Sequence, residues 1–270
     1  MNQAKEKKEI QFDSLSNWQG FNYEAYLGQT MQLMPTDFTY DFFSDVYDSF
    51  YLYNRQPLRE QLIKALAGET FKVIDVIKDD KNNIFLKLSH KHNSDSIIIN
   101  YRYNTEPYAS KLFPFIVTAY FEKLKSTHLE KKACLKINPN CSLKDYVTGK
   151  RLKLIPGSTW TCKDFVIDAS IIPELKMLFT NAKGETIGVA ADSFDEWFVT
   201  PVKRNILEAK YGKDLVLAAL NKEIRKGMSQ ELVRIAWGNP ERINNSSYGD
   251  QWVYEENYVY FKNGVVTGWN

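Results

Sequence analysis

A short pattern recurs along this chain: Gly, a polar residue, Thr, a large apolar residue, then alternation. It reads Gly28-Gln29-Thr30-Met31-Gln32-Leu33, Gly68-Glu69-Thr70-Phe71-Lys72-Val73 and Gly157-Ser158-Thr159-Trp160-Thr161-Cys162. The last two extend further, each with an Asp seven residues after the Gly, at Asp75 and Asp164. Both then pass through a loop into apolar runs, Ile84 to Leu88 and Leu175 to Phe179. Polar turns follow at His90 to Asp95 and Asn181 to Glu185. Period-two alternation punctuated by Gly and polar turns predicts short antiparallel strands, and a strand set of this length must curl or close to bury its apolar face. A second echo, Tyr26-Leu27-Gly28 leading to Leu33-Met34-Pro35 and Tyr146-Val147-Thr148-Gly149 leading to Leu154-Ile155-Pro156, supports an internal duplication.

The expected fold is mostly β with an α+β C-terminal domain: two small antiparallel barrels followed by a two-helix plus β-meander module. The boundaries read 20–106 for the first barrel, 107–144 for a connecting segment, 145–200 for the second barrel and 201–270 for the terminal module. Within the connecting segment, Phe115 to Phe121 fits a buried strand or the start of a helix, and periodicity does not separate the two. Over Asp37 to Tyr53 the acids Asp37, Asp41, Asp45 and Asp48 alternate with apolar residues at spacings of three and four. That predicts an amphipathic helix or an aromatic-rich loop packed on the first barrel.

Beyond Pro201 the period becomes helical. Asp214 to Arg225 carries Leu215, Leu217, Ala218, Leu220 and Ile224, close to an i, i+3, i+7 stripe, and Gly227 marks its end. A second helix, Gln230 to Trp237, follows Ser229, which can cap its first turn, and ends at Gly238 before Pro240. Strands are expected near 241–244, 251–254, 258–261 and 265–269, the last two joined through Asn263-Gly264, a strong hairpin signal.

The arrangement Ile224, Gly227-Met228-Ser229, Glu231-Leu232-Val233, Gly238-Asn239-Pro240, Gln251 to Tyr254, Tyr260-Phe261 and Asn263-Gly264-Val265 resembles the SmpA/OmlA family. These are small outer-membrane lipoproteins that share a fold with β-lactamase inhibitory proteins. The resemblance implies a binding or scaffold module that contacts protein through its sheet face or its helix-strand loops. The repeats at Gly68 and Gly157 are similar to bacterial Src-homology-type small barrels, which commonly bind peptides or cell-wall material.

Charge narrows the partners. The 270 residues carry 35 Lys and Arg against 33 Asp and Glu, a net charge of +2, interspersed rather than clustered. A surface that neutralises several phosphates is not evident, which argues against nucleic acid as the main partner. No apolar run approaches the roughly 20 residues that cross a bilayer, so a soluble protein is expected. Met1 to Glu9 is polar and lacks the apolar core of a secretion signal. That reads as cytoplasmic, or as cell envelope or periplasm if a leader has been removed.

No cofactor or metal motif stands out. His90 and His92 would share one side of a strand, as a metal pair would, but the polar run around them reads better as a solvated hairpin tip. Cys134, Cys141 and Cys162 match no zinc spacing, and Cys162 occupies an apolar position of the repeat; a Cys134–Cys141 disulfide would require export. Asp75 and Asp164 read as turn-capping carboxylates, with general-acid work as the other use.

The chemistry best supported is contact. Trp252, Tyr254, Tyr258, Tyr260 and Trp269 concentrate in the terminal strands, where half must face away from the helices. They either form a contact surface or pack against the second barrel. The expectation is a non-enzymatic multi-module binding or scaffold protein that contacts another protein or a cell-envelope polymer through aromatic strand faces. The alternative is a hydrolase acting on cell-wall or peptide substrates, with Asp75, Asp164, Cys162 or His128 at a barrel cleft.

Overall fold

A computed structural model describes residues 17, 22–34, 50–52, 66–92, 95–103, 115–137, 141–168 and 174–270. Of the amphipathic helix or loop expected over 37–53, only residues 50–52 are described, and they form a strand; the rest of that stretch and the N-terminal nine residues lie outside the described residues. The chain divides into two compact units, 1–127 with 165–176, and 128–164 with 177–270.

The first unit opens with a 3-10 turn, Tyr23–Tyr26, and holds β1 (Thr30–Leu33), β2 (Phe50–Leu52), β3 (Thr70–Lys78), β4 (Ile84–His92), β5 (Asp95–Tyr103) and β6 (Phe115–Val117). Helix α1 (Thr118–His128) follows β6 directly, so the run that periodicity left open is strand first and helix after. The sheet order is β2-β5-β4-β3-β1-β6. Alternation delivers Met31, Leu33, Phe71, Val73, Leu86, Leu88 and Phe115 to one buried layer. Phe71 lies edge-on to Phe115, with ring centroids 5.4 Å apart.

The second sheet is built from β7 (Lys132–Leu135), β8 (Thr159–Asp168), β9 (Glu174–Asn181), β10 (Thr186–Ala190) and β11 (Phe198–Val199), with the four-residue helix α2 (Phe194–Trp197) before β11. Its order is β10-β9-β8-β7-β11. Apart from the additional edge strand β2, this is the order of the first sheet, and the ladders on either side of β1 and β7 agree in register residue for residue. Met31 pairs Phe71 as Ala133 pairs Trp160, and Leu33 pairs Phe115 as Leu135 pairs Phe198. Gly68 donates to the Leu33 carbonyl and Leu33 to that of Glu69. Gly157 donates to Leu135 and Leu135 to Ser158 in the same way. Both glycines take φ between +70° and +90°, the left-handed region that favours Gly at these strand entries.

The duplication therefore stands on strand pairing, but its limits move. The expected connecting segment 107–144 supplies β6, which ends the first frame, and β7, which begins the second. The counterpart of Tyr26-Leu27-Gly28 is His128-Leu129-Glu130 rather than Tyr146 to Gly149. Gly28 donates to the Val73 carbonyl as Glu130 does to that of Cys162, and Gln29 donates to Tyr26 as Lys131 does to His128. The mostly β architecture with an α+β C-terminal part is as expected. The sheets, however, are open: strand order runs linearly from one edge to the other instead of closing into barrels.

Three helices follow, α3 (Pro201–Tyr211), α4 (Lys213–Leu220) and α5 (Gln230–Trp237). Helix α4 stops five residues short of the expected Arg225, and Lys222 takes a positive φ just beyond it. Ser229 caps α5, its hydroxyl accepting from the Leu232 N–H at 3.3 Å, and Gly238 ends it at φ 82°. The four strands β12 (Arg242–Ser246), β13 (Gly249–Tyr254), β14 (Asn257–Lys262) and β15 (Val265–Trp269) form an antiparallel meander in sequence order. Asn263 and Gly264 both have positive φ, the geometry of a tight two-residue hairpin.

Leu232, Val233 and Ala236 of α5 pack with Val216 and Leu220 of α4 and with Trp252, Val259, Phe261 and Val266 of the meander. Cys134 of β7 and Val199 of β11 belong to the same core. The domain boundary expected at 200/201 thus falls within one continuous apolar interior. Among the described residues, no helix is long and apolar enough to cross a membrane.

Candidate functional site

The five aromatics expected to make contacts do not share one surface. Strand pairing places Trp252 opposite Val259, on the face turned to the helices, and Trp252 is 1% exposed. It is a core residue: its ring packs on Phe261 at 4.7 Å and carries the Arg234 guanidinium 4.4 Å from its centroid. That corrects its expected role, because the helix-facing row of the meander supplies the interior that α4 and α5 cover. Tyr258 and Tyr260 lie on the opposite row. Tyr260 is 39% exposed, and its hydroxyl accepts from Gln251 Nε2 at 3.3 Å while Asn244 Nδ2 donates to Gln251 Oε1 at 2.8 Å. Trp269, at the end of β15, is 42% exposed.

Tyr254 leads elsewhere. Its ring meets Trp237 edge-on at 5.5 Å, and its hydroxyl donates to the Gly238 carbonyl at 3.1 Å. Burial pushes its phenol up to about 12. The Trp237 indole N–H donates to the Lys222 carbonyl at 3.1 Å, so both rings are held at both ends. These two aromatics form part of the wall of an open cleft of about 840 Å³ that runs along the C-terminal turn of α5, the β13–β14 turn, Lys222, α2 and Lys136. A smaller lobe of about 300 Å³ adjoins it, and Lys136, Asp195, Arg234 and Ile235 line both.

Lys136 is the unexpected member. It directly follows β7, its backbone N–H donates to the Trp197 carbonyl at 2.7 Å, and it is 7% exposed. Its ammonium donates to the backbone carbonyl of Asp195 in α2. Burial, reinforced by the nearby charge of Lys222, pulls the amine down to about 8; Asp195 opposes the shift and Lys203 adds to it. The residue at the same place in the first frame is Met34, apolar and 4% exposed. The fold accepts a methionine at this position, so packing alone does not call for the cation. The sequence signal for Lys136 is the alignment of Leu33 with Leu135, which the Gly-polar-Thr pattern does not mark because Glu130 stands where the first frame has Gly28.

The residues named for the hydrolase alternative each have their own local surroundings. Cys162 is buried, its thiol contacts the Asp164 carbonyl at 3.9 Å, and burial pushes it up to about 12, which keeps it neutral. His128 stacks on Phe194, with centroids 4.4 Å apart, and burial lowers its basicity. Asp75 lies in the other unit, in β3, at the register shift of its ladder with β4, where its carboxylate accepts from the Val76 N–H at 2.9 Å.

His90, expected at a solvated hairpin tip, is buried in β4. Its Nδ1 lies 2.9 Å from the Thr70 carbonyl oxygen and its ring 4.9 Å from that of Phe71. The strand continues to His92, which pairs with Asp95 of β5. Cys134, Cys141 and Cys162 are all free thiols. Among the described residues, no three His, Cys, Asp or Glu side chains gather as metal ligands do.

Comparison with protein-family models, with curated proteins and with solved structures finds no match to this chain.

Proposed function

We propose that this chain is a non-enzymatic multi-module binding protein that holds another protein or a polymer through aromatic residues of its C-terminal meander. The observation that carries the reading is the fixed presentation of Tyr260: its hydroxyl is tied to Gln251, which is tied in turn to Asn244, while the ring stays open to solvent. A tyrosine already immobilised in its contact geometry loses little entropy on binding and buries a large area, which is how aromatic residues come to dominate interfaces. Tyr258 shares its row, while Trp269, paired with Val259, lies on the other face at the free edge of β15 and offers a second aromatic there. Trp252 contributes from below, as the buried floor under the sheet.

The resemblance of residues 224–265 to SmpA/OmlA modules, which act in binding rather than catalysis, points the same way. The cleft beside Tyr254 offers the concave, prearranged setting in which ligands are usually held.

The test is capture of a partner from an extract of the source cells on immobilised protein. The double variant Tyr260→Ala, Trp269→Ala is expected to lose capture at least tenfold while remaining folded with a cooperative thermal transition, because both residues lie outside the buried core. Equal capture by variant and wild type overturns the reading.

A further inference from the structure

The geometry points to the Lys136 end of the cleft as a carboxylate-binding subsite, one that takes an acidic side chain or terminal carboxylate of a peptide ligand. The inference rests on the binding reading above and names the chemistry of one part of the contact.

An ammonium group has three N–H donors. Among the described residues, Lys136 Nζ uses one, to the Asp195 carbonyl, and no carboxylate lies within ion-pair distance of it. The side chain is more than nine-tenths buried and forms part of the wall of both lobes. Unused donors on a buried cation cost free energy unless something supplies acceptors, and the fold does not require the cation, since Met34 fills the equivalent position.

Lys222 and Lys203 raise the positive potential at Nζ while Asp195 and Glu196 lower it, and Arg234 borders both lobes. An anion is therefore drawn by the unused N–H donors of Lys136, with Arg234 beside them, rather than by an excess of positive charge. The same cleft also presents Glu196, Glu241 and Glu255, which disfavour a multiply charged phosphate but accept hydrogen bonds from N–H groups. A peptide carries both complements, one negative charge and a series of N–H donors. Trp237 and Tyr254 offer ring surfaces for a neighbouring apolar side chain.

The experiment titrates ¹⁵N-labelled full-length protein with N-acetyl-Gln-Phe-Glu-amide and with its Gln-Phe-Gln analogue, following the Trp237 indole resonance, assigned with Trp237→Phe. The acidic peptide is expected to shift that resonance saturably and to bind at least tenfold more tightly than the analogue. Lys136→Met should weaken it at least tenfold while retaining the wild-type backbone spectrum. Equal binding of the two peptides to wild type overturns the inference, and this arm needs no variant. Unchanged affinity in folded Lys136→Met, or displacement of the peptide by inorganic phosphate more readily than by acetate, also overturns it. If neither peptide binds but capture still depends on Tyr260 and Trp269, the subsite fails and the wider binding reading survives; if both fail, both fall.

Discussion

The two five-strand frames share one strand order and the same register along their first strands, β1 and β7, yet these strands are covered differently. In the first frame Gln32 of β1 is half-exposed, and Met34 closes the strand as part of an apolar layer. In the second, the counterpart of Gln32 is Cys134, buried in the core of α3, α4 and α5, and the counterpart of Met34 is Lys136, facing a cleft. Arg204 of α3 ties the helices to this frame, donating to the Gly157 carbonyl at 2.7 Å while Glu208 holds it from one turn on. The difference teaches that the frame is a neutral scaffold. Where helices pack on it, an edge position that was only structural can carry a cation at the wall of a cleft.

The largest test of that comparison is truncation of the matched core residues. Phe71→Ala and Trp160→Ala should each cost about 3–5 kcal/mol in denaturant unfolding, since both are almost fully buried at paired positions. A loss under about 1 kcal/mol at one of them would show that the frames are not energetically equivalent.

Exchanging the divergent position is next. Met34→Lys places a cation in a wholly apolar setting and is expected to cost about 3 kcal/mol at pH 7. A near-neutral result would mean that the first frame tolerates what only the second contains.

The reverse change, Lys136→Met, should stabilise. The native amine sits at about 8 rather than its ordinary 10.5, so below pH 8 both folded and unfolded chains are protonated and the full burial cost, about 2 kcal/mol after allowing for screening, is present. Between pH 8 and 10.5 the folded chain has released its proton while the unfolded chain retains it, so wild-type stability rises with pH. The advantage of Lys136→Met should therefore be greatest at pH 7 and vanish above pH 10.5. A difference that does not change with pH would assign the effect to packing alone.

The smallest effect concerns the turn before each frame. Glu130 takes φ 58° where its counterpart Gly28 takes 82°. A non-glycine residue there costs about 1–2 kcal/mol, partly offset by the exposed Lys163–Glu130 pair at 2.7 Å. Glu130→Gly should gain about 0.5 kcal/mol in thermal unfolding, whereas Gly28→Glu should lose about 1 kcal/mol.

Much of the C-terminal module was legible because its signals are local. Ser229 and Gly238 bound α5 through caps that involve only neighbouring residues, and Asn263-Gly264 specifies its hairpin through φ alone. The strand entries at Gly68 and Gly157 were legible for the same reason. The candidate site was not. Trp252 and Tyr260 are aromatics of the adjacent strands β13 and β14 on opposite faces of the meander, and which face the helices would cover depended on α4 and α5 packing from elsewhere in the chain.

By itself, the sequence determined the local grammar: where strands start, where α5 begins and ends, which positions alternate, and that the second repeat echoes the first. Only the tertiary structure decided that β6 and β7 belong to those repeats, that the sheets stay open, that Trp252 is interior, and that Lys136 shares a cleft with Trp237 and Tyr254. The reason is range. Caps, turns and alternation arise from forces acting over a few residues, whereas burial and the position of a charge depend on segments far apart in sequence, whose meeting no local pattern encodes.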